Sequence, residues 1–145
     1  MGKVLTVSSV AVGMWLLLAA GCGSDGPAAP SGALAGRWSG TITRGADEGT
    51  TVWQLTQTGS GVSGTWSADF AGAAKDVGGL AGGTVIGSSV SLFLTPSEPI
   101  ACGSGITLSG TLSVDATVSG DRLTGTYLVF TCDSVETGNV DVRRH

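Results

Sequence analysis

From Ile106 to Ser119 the chain alternates without a break. Ile106, Leu108, Gly110, Leu112, Val114, Ala116 and Val118 fall on one side, and Thr107, Ser109, Thr111, Ser113, Asp115, Thr117 and Ser119 on the other. A period of two over fourteen residues fits a strand with one buried and one wet face, and no helix can segregate those two sets. Shorter runs obey the same rule: Val62, Gly64 and Trp66; Val90, Leu92 and Leu94; Leu123, Gly125, Tyr127 and Val129. Turn residues punctuate them at Gly59-Ser60-Gly61, Gly87-Ser88-Ser89 and Gly120-Asp121. The pattern predicts eight strands near 36–44, 49–58, 61–69, 77–86, 89–95, 105–119, 122–132 and 136–144.

A phrase recurs within this pattern. Gly59-Ser60-Gly61-Val62-Ser63-Gly64-Thr65-Trp66 matches Gly120-Asp121-Arg122-Leu123-Thr124-Gly125-Thr126-Tyr127, and a reduced copy is Leu108-Ser109-Gly110-Thr111-Leu112. Each full copy reads as a hairpin turn leading into a strand whose interior glycine leaves room beside a large aromatic. Twenty-five glycines alone would suggest disorder, but 41% hydrophobic and 12% charged residues do not. Eight short antiparallel strands must deal with their edges, and closure into an up-and-down barrel removes them. The expected fold is therefore all-β, an antiparallel barrel of about eight strands, with a β-sandwich as the alternative.

The first 35 residues have another character. After Lys3, the stretch Val4–Ala20 carries no charge and is almost wholly apolar, and Ala19-Ala20-Gly21 precedes Cys22. This is the layout of a helical signal peptide over residues 1–21 with a small-residue cleavage site. Leu18-Ala19-Ala20-Gly21-Cys22 resembles the lipobox of bacterial lipoproteins, with Ala19 where that motif usually has leucine. The resemblance implies that Cys22 becomes the lipidated first residue of the mature chain, carrying palmitate-type acyl chains that anchor it to a membrane. Gly23, in place of the aspartate that retains such proteins at the inner membrane, points to the outer membrane in a two-membrane host. Residues 22–35 continue as a Gly/Ser/Pro/Ala flexible tether, and 36–145 form the domain.

Cys22 also settles an odd count. Of three cysteines it takes lipid, and export to an oxidising compartment lets Cys102 and Cys132 pair. Their loop of roughly thirty residues would stabilise the fold by about 3–4 kcal/mol in the chain-entropy treatment.

Gly36-Arg37-Trp38-Ser39-Gly40 at the start of the first strand resembles the Gly-x-Trp opening of lipocalin-type (calycin) barrels. The Gly-Thr-Trp and Gly-Thr-Tyr hairpin exits resemble the avidin branch of that group. The resemblance implies that Trp38 closes one barrel end under an arginine of the last strand, for which Arg143 is the candidate. It does not carry over the biotin site, because Gly40 and Arg44 stand where the first avidin strand offers asparagine and serine.

The charges exclude other readings. The formal charge of −4 becomes −5 once Lys3 is lost, and the cations are scattered, so nucleic acid is not an expected partner. The only histidine, His145, is terminal and expected to fray, which leaves no base for a nucleophilic triad and too few ligands for zinc. Asp47-Glu48 lacks the spacing of a calcium loop, and the other carboxylates sit at turns or outward positions. No cofactor, metal site or enzymatic activity is expected.

Trp38, Trp53, Trp66 and Tyr127 either fill the core or line a cavity and stack on a ligand. Phe93 and Phe130, opposite their strands' apolar sets, form an exposed patch or cover a barrel end. Two functions follow. One is a membrane-anchored module binding a small apolar or amphipathic ligand inside the barrel. The other is a structural or interaction lipoprotein of the cell envelope whose barrel is filled.

Overall fold

Among the described residues, four two-residue turns organise the strands. Their first residues, Gly45, Gly59, Gly87 and Gly120, have φ of 60°, 59°, 59° and 59°. Positive φ at this position is what primed hairpin turns demand, and their twist matches that of the flanking strands. The turns are closed by Arg44↔Asp47, Thr58↔Gly61, Ile86↔Ser89 and Ser119↔Arg122. The computed structural model describes residues 32–70, 77–98, 100–101, 107–108, 110–131 and 134–145.

The strands are β1 (Gly36–Arg44), β2 (Asp47–Thr58), β3 (Gly61–Phe70), β4 (Val77–Ile86), β5 (Ser89–Pro96), β6 (Ile100–Ala101), β7 (Thr107–Leu108), β8 (Leu112–Ser119), β9 (Arg122–Thr131) and β10 (Ser134–Arg144). Eight of them close an antiparallel barrel in the order β1-β10-β9-β8-β5-β4-β3-β2, while β6 and β7 pair with each other alone. The barrel, not the sandwich, is the architecture.

The long strand expected over 105–119 is broken. Thr107–Leu108 pairs with Ile100–Ala101, Gly110 and Thr111 lie in no strand, and the barrel strand begins at Leu112. The cause lies in the neighbour: β5 pairs β8 only as far as Leu94↔Leu112 and ends at Pro96, which has no N–H to donate. Beyond Leu112 the period of two continues in the sequence, but the sheet offers it no partner there.

Three turns, the chain entry and the C-terminus gather at one end of the barrel. Their backbones are knitted together by Val85 N–H to Ser60 O at 2.8 Å, Val118 N–H to Ser88 O at 2.9 Å and Arg144 N–H to Asp121 O at 2.9 Å. We call this the sealed end; the Gly45–Ala46 turn marks the open end. Packing begins upstream of β1, since Leu34 is fully buried and its N–H donates to Gln57 Oε1 at 2.9 Å.

Inward positions run with period two through every barrel strand. They include Trp38 and Ile42 on β1, Trp53 and Leu55 on β2, Trp66 and Ala68 on β3, Leu92 and Leu94 on β5, Leu123 and Tyr127 on β9, and Val140 and Val142 on β10. An eight-stranded barrel is just wide enough for such side chains to meet across its axis. Curvature comes from inward glycines: a Cβ at Gly64 would strike the Gln54 carbonyl of the adjacent strand, and one at Gly125 would lie 2.5 Å from Ala116 Cβ. The glycine within each repeated phrase thus sits where the neighbouring strand leaves no room for a Cβ.

Candidate functional site

At the sealed end, Trp38 lies under a guanidinium. Its Nε1–H donates to Leu34 O at 3.0 Å, and Cζ of Arg144 stands 5.3 Å from the ring centroid. Arg144 is held by Asp121 Oδ1, at 2.9 Å from Nε and 2.7 Å from one terminal nitrogen, and its other terminal nitrogen donates to Ala33 O at 3.2 Å. The covering arginine is therefore Arg144, not Arg143. Val140 and Val142 fix the inward phase of β10, so residue 144 continues it while Arg143 faces solvent beside its register partner Arg122. That alternation was readable in the sequence.

The other aromatics fill the barrel further along. Trp53 Nε1–H donates to Thr51 Oγ1 at 2.8 Å, and Thr51 in turn donates to Ser67 O at 2.7 Å. Trp66 pairs in register with Trp53, and its buried Nε1–H meets no acceptor among the described residues. Tyr127 lies against Gly138, where a Cβ would come within 2.5 Å of its ring, and its hydroxyl donates to Thr43 O at 2.8 Å. Burial pushes the Tyr127 phenol up to about 12. This bond bridges the seam where the β1–β10 ladder stops at Ile42↔Val140, and Thr43 Oγ1 takes the Asn139 N–H there at 3.0 Å.

Trp38 and Trp53 are 0% exposed, Trp66 4% and Tyr127 3%. An enclosed void large enough for a ligand would leave accessible surface on any of the four that faced it. At the open end Phe70 is buried beneath Arg44, whose Cζ is 5.3 Å from the ring centroid and which also pairs with Glu136 at 3.7 Å.

Besides a cleft of about 330 Å³ among Ala33, Gly87, Ser88, Gly120 and Arg144 at the sealed end, open space lies along the wall. One cleft of about 710 Å³ runs from the seam, where Thr43, Gly45, Tyr127 and Gly138 line it, over outward residues of β8, β9 and β10, including Ser113, Asp115, Thr126, Leu128 and Asn139. A second, of about 570 Å³, adjoins it over β4, β5, β8 and β9 and shares Asp115 and Thr126. Asp115 is oriented by Ser91, whose hydroxyl donates to its Oδ1 at 2.6 Å. Phe93 and Phe130 are 57% and 66% exposed on this wall, so they belong to an outward patch and cover no barrel end.

His145 is not frayed. Its N–H donates to Arg37 O at 2.9 Å, and its Nε2 lies 2.7 Å from Ser39 Oγ. Pairing of β1 with the last strand carries the terminus one residue further than its position suggested. The pair sits exposed on the wall, and no carboxylate orients the imidazole among the described residues. It thus lacks the third group that aligns a nucleophile and its base. Elsewhere on the wall, Arg122 Nε donates to Asp141 Oδ1 at 2.9 Å, and that hydrogen bond holds the Asp141 carboxyl below its ordinary value. Among the described residues no three His, Cys, Asp or Glu side chains converge as a metal site would require.

Cys22, the leader and residues up to 31 lie outside the described residues, as do Cys102 and Cys132. Sequence reasoning missed Leu34, hidden in a tether-like composition, and the outer-wall clefts, which depend on strand register. No family model, no curated protein and no solved structure matches the chain. The closed eight-stranded antiparallel barrel itself is consistent with a calycin-type fold in general.

Proposed function

We propose that this chain is a lipid-anchored cell-envelope protein, held by Cys22, whose filled barrel is a rigid scaffold and whose outer wall makes its functional contacts. It acts without catalysing a reaction. The observation that carries this reading is the burial of Trp38, Trp53, Trp66 and Tyr127, which leaves the clefts on the outside. Anchoring rests on the lipobox-like Leu18–Cys22 stretch and on the two or more acyl chains that stable attachment needs. Nine residues lie between Cys22 and Gly32, and the ten steps reach at most about 35 Å, so the sealed end lies nearest the lipid. In a two-membrane host the outer membrane is the site.

One observation favours the alternative, a small apolar or amphipathic ligand inside the barrel. The orphaned Trp66 Nε1–H costs about 1–3 kcal/mol and would be satisfied by an acceptor on such a ligand. Native mass spectrometry of the full chain purified from its own host separates the two. An apo mass supports the filled barrel, whereas a co-purifying small molecule that alters the buried indole spectrum overturns it. Labelling with a palmitate analogue tests the anchor: incorporation that is lost in Cys22→Ala supports it, and equal labelling of both chains refutes it.

A further inference from the structure

We infer that the free edge of β10 at the open end takes up an extended, basic peptide as an added strand; this rests on the scaffold reading and names the class of partner. The edge follows from unequal strand lengths. β10 runs from Ser134 to Arg144, but β1 pairs with it only from Trp38↔Arg144 to Ile42↔Val140. Two residues later β1 leaves for β2 through the Gly45–Ala46 turn. β9 meanwhile stays paired with β10, without a bulge, as far as Thr131↔Ser134. The first part of β10 therefore has a strand on one side only among the described residues.

Alternation decides which groups face the gap. His145 N–H donates to Arg37 O and Asn139 N–H to Thr43 Oγ1, so the odd residues of β10 turn their main chain toward β1. Thr137 and Val135 continue that series past the end of the ladder. Their two N–H and two C=O groups stand open on alternate residues of a regular strand, with no partner among the described residues. That spacing is met by another strand.

The surroundings of the edge select which strand. Val135 is 53% exposed and pairs in register with Phe130, 66% exposed, so a residue placed opposite Val135 meets an apolar row. A residue opposite Thr137 meets Leu128, the register partner of Thr137, at the seam end of the 710 Å³ cleft, which Gly45 and Asn139 also line. Between these two, Glu136 follows the inward phase of Val140 and Val142 and reaches the barrel mouth. There Arg44 alone among the described residues answers both Glu136, at 3.7 Å, and Asp47, at 3.8 Å. A lysine or arginine opposite Glu136 supplies the missing cation. A second copy of this chain does not: the antiparallel register that uses both Val135 and Thr137 sets Glu136 directly against its own counterpart, where like charges repel. The occupant is a short strand with a basic residue between two apolar ones.

The test is fluorescence anisotropy of a dye-labelled heptapeptide, Ser-Thr-Val-Lys-Val-Thr-Ser, titrated with the full chain in polyoxyethylene micelles. Binding at about 1 mM or tighter is expected, beyond any seen with micelles alone. N-methylation of both valines removes the donors that face β10 and should weaken binding by about tenfold or more. Glutamate in place of the peptide's lysine should weaken it by about threefold or more. Thr137→Pro loses an N–H that serves no bond within the barrel, so it should close the edge and leave the spectrum of the buried indoles unchanged. Should that variant not fold, the methylated peptide still decides, since equal binding of both peptides overturns the proposal. No binding of the unmodified peptide, while the host-purified chain shows an apo mass, overturns the edge and leaves the filled barrel standing. Dimer cross-links in the wild-type chain that Thr137→Pro removes would make a second copy the occupant and overturn the peptide.

Discussion

Replacing Arg144 by alanine removes one group that several parts of the sealed end share. Its guanidinium covers Trp38 at 5.3 Å, a cation–π contact worth about 0.5–1 kcal/mol. The pair with Asp121 is mostly solvated on the aspartate side and contributes about 0.2–1 kcal/mol. The Ala33 carbonyl then loses a charged donor at 3.2 Å, worth about 1.5 kcal/mol when half-buried. The total is about 2–3.5 kcal/mol. At about 4–8 °C per kcal/mol for a domain of this size, the melting temperature should fall by roughly 8–28 °C. Arg144→Lys keeps the charge but loses the planar fork, and should recover less than half of this. Arg143→Ala, one residue away and facing solvent, should cost under about 0.5 kcal/mol. Thermal unfolding followed by indole fluorescence reads all three. Equal melting temperatures for the two alanine variants, or a larger loss at 143, would refute the assignment of Arg144 as the residue that closes this end.

The seam makes its own predictions. Tyr127→Phe removes the bond to Thr43 O and should destabilise the barrel by about 1–2 kcal/mol in urea unfolding. The same tyrosine makes the fold alkali-sensitive: the unfolded phenol ionises near pH 10 while the folded one holds its proton to about 12. Stability contributed by the neutral phenol is complete below pH 10 and is lost as pH rises from 10 through 12, so unfolding in that window should become shallower in the phenylalanine variant. Gly138→Ala would drive a methyl into the Thr43 carbonyl and the Tyr127 ring, and should cost about 3 kcal/mol or more or abolish folding; wild-type stability would mean that the strands can part there. For Cys102 and Cys132 we expect a disulfide, so neither should alkylate without reductant in the unfolded chain.

What could be read in advance follows from the range of each signal. Three of the turns were legible because glycine at the first central position answers a local backbone demand, and the inward sets of β3, β5 and β9 because side-chain direction alternates whatever the fold; the turn at Gly45 was not singled out. The break before Leu112 was not, since Thr107 and Leu108 keep the strand pattern and only the length of β5 decides who pairs with them. Leu34 looked like linker because one leucine among Gly, Pro and Ala has no period. The close approach of Gly125 to Ala116 needed the register, which alone sets the two residues opposite each other.

The shared location of the two chain ends has a mechanical consequence. Tension on the N-terminal segment enters β1 at Gly36 and runs along that strand, which lies between β10, with five register pairs, and β2, with nine. A pull from the sealed end therefore loads those rungs in shear, many at once, instead of unzipping them one after another. The Leu34 plug and the Arg144 latch take up the first of that load. A domain held at its wall against a tether at the sealed end would behave as a load-bearing rivet, and single-molecule extension from the N-terminus against the outer wall should show one high-force rupture.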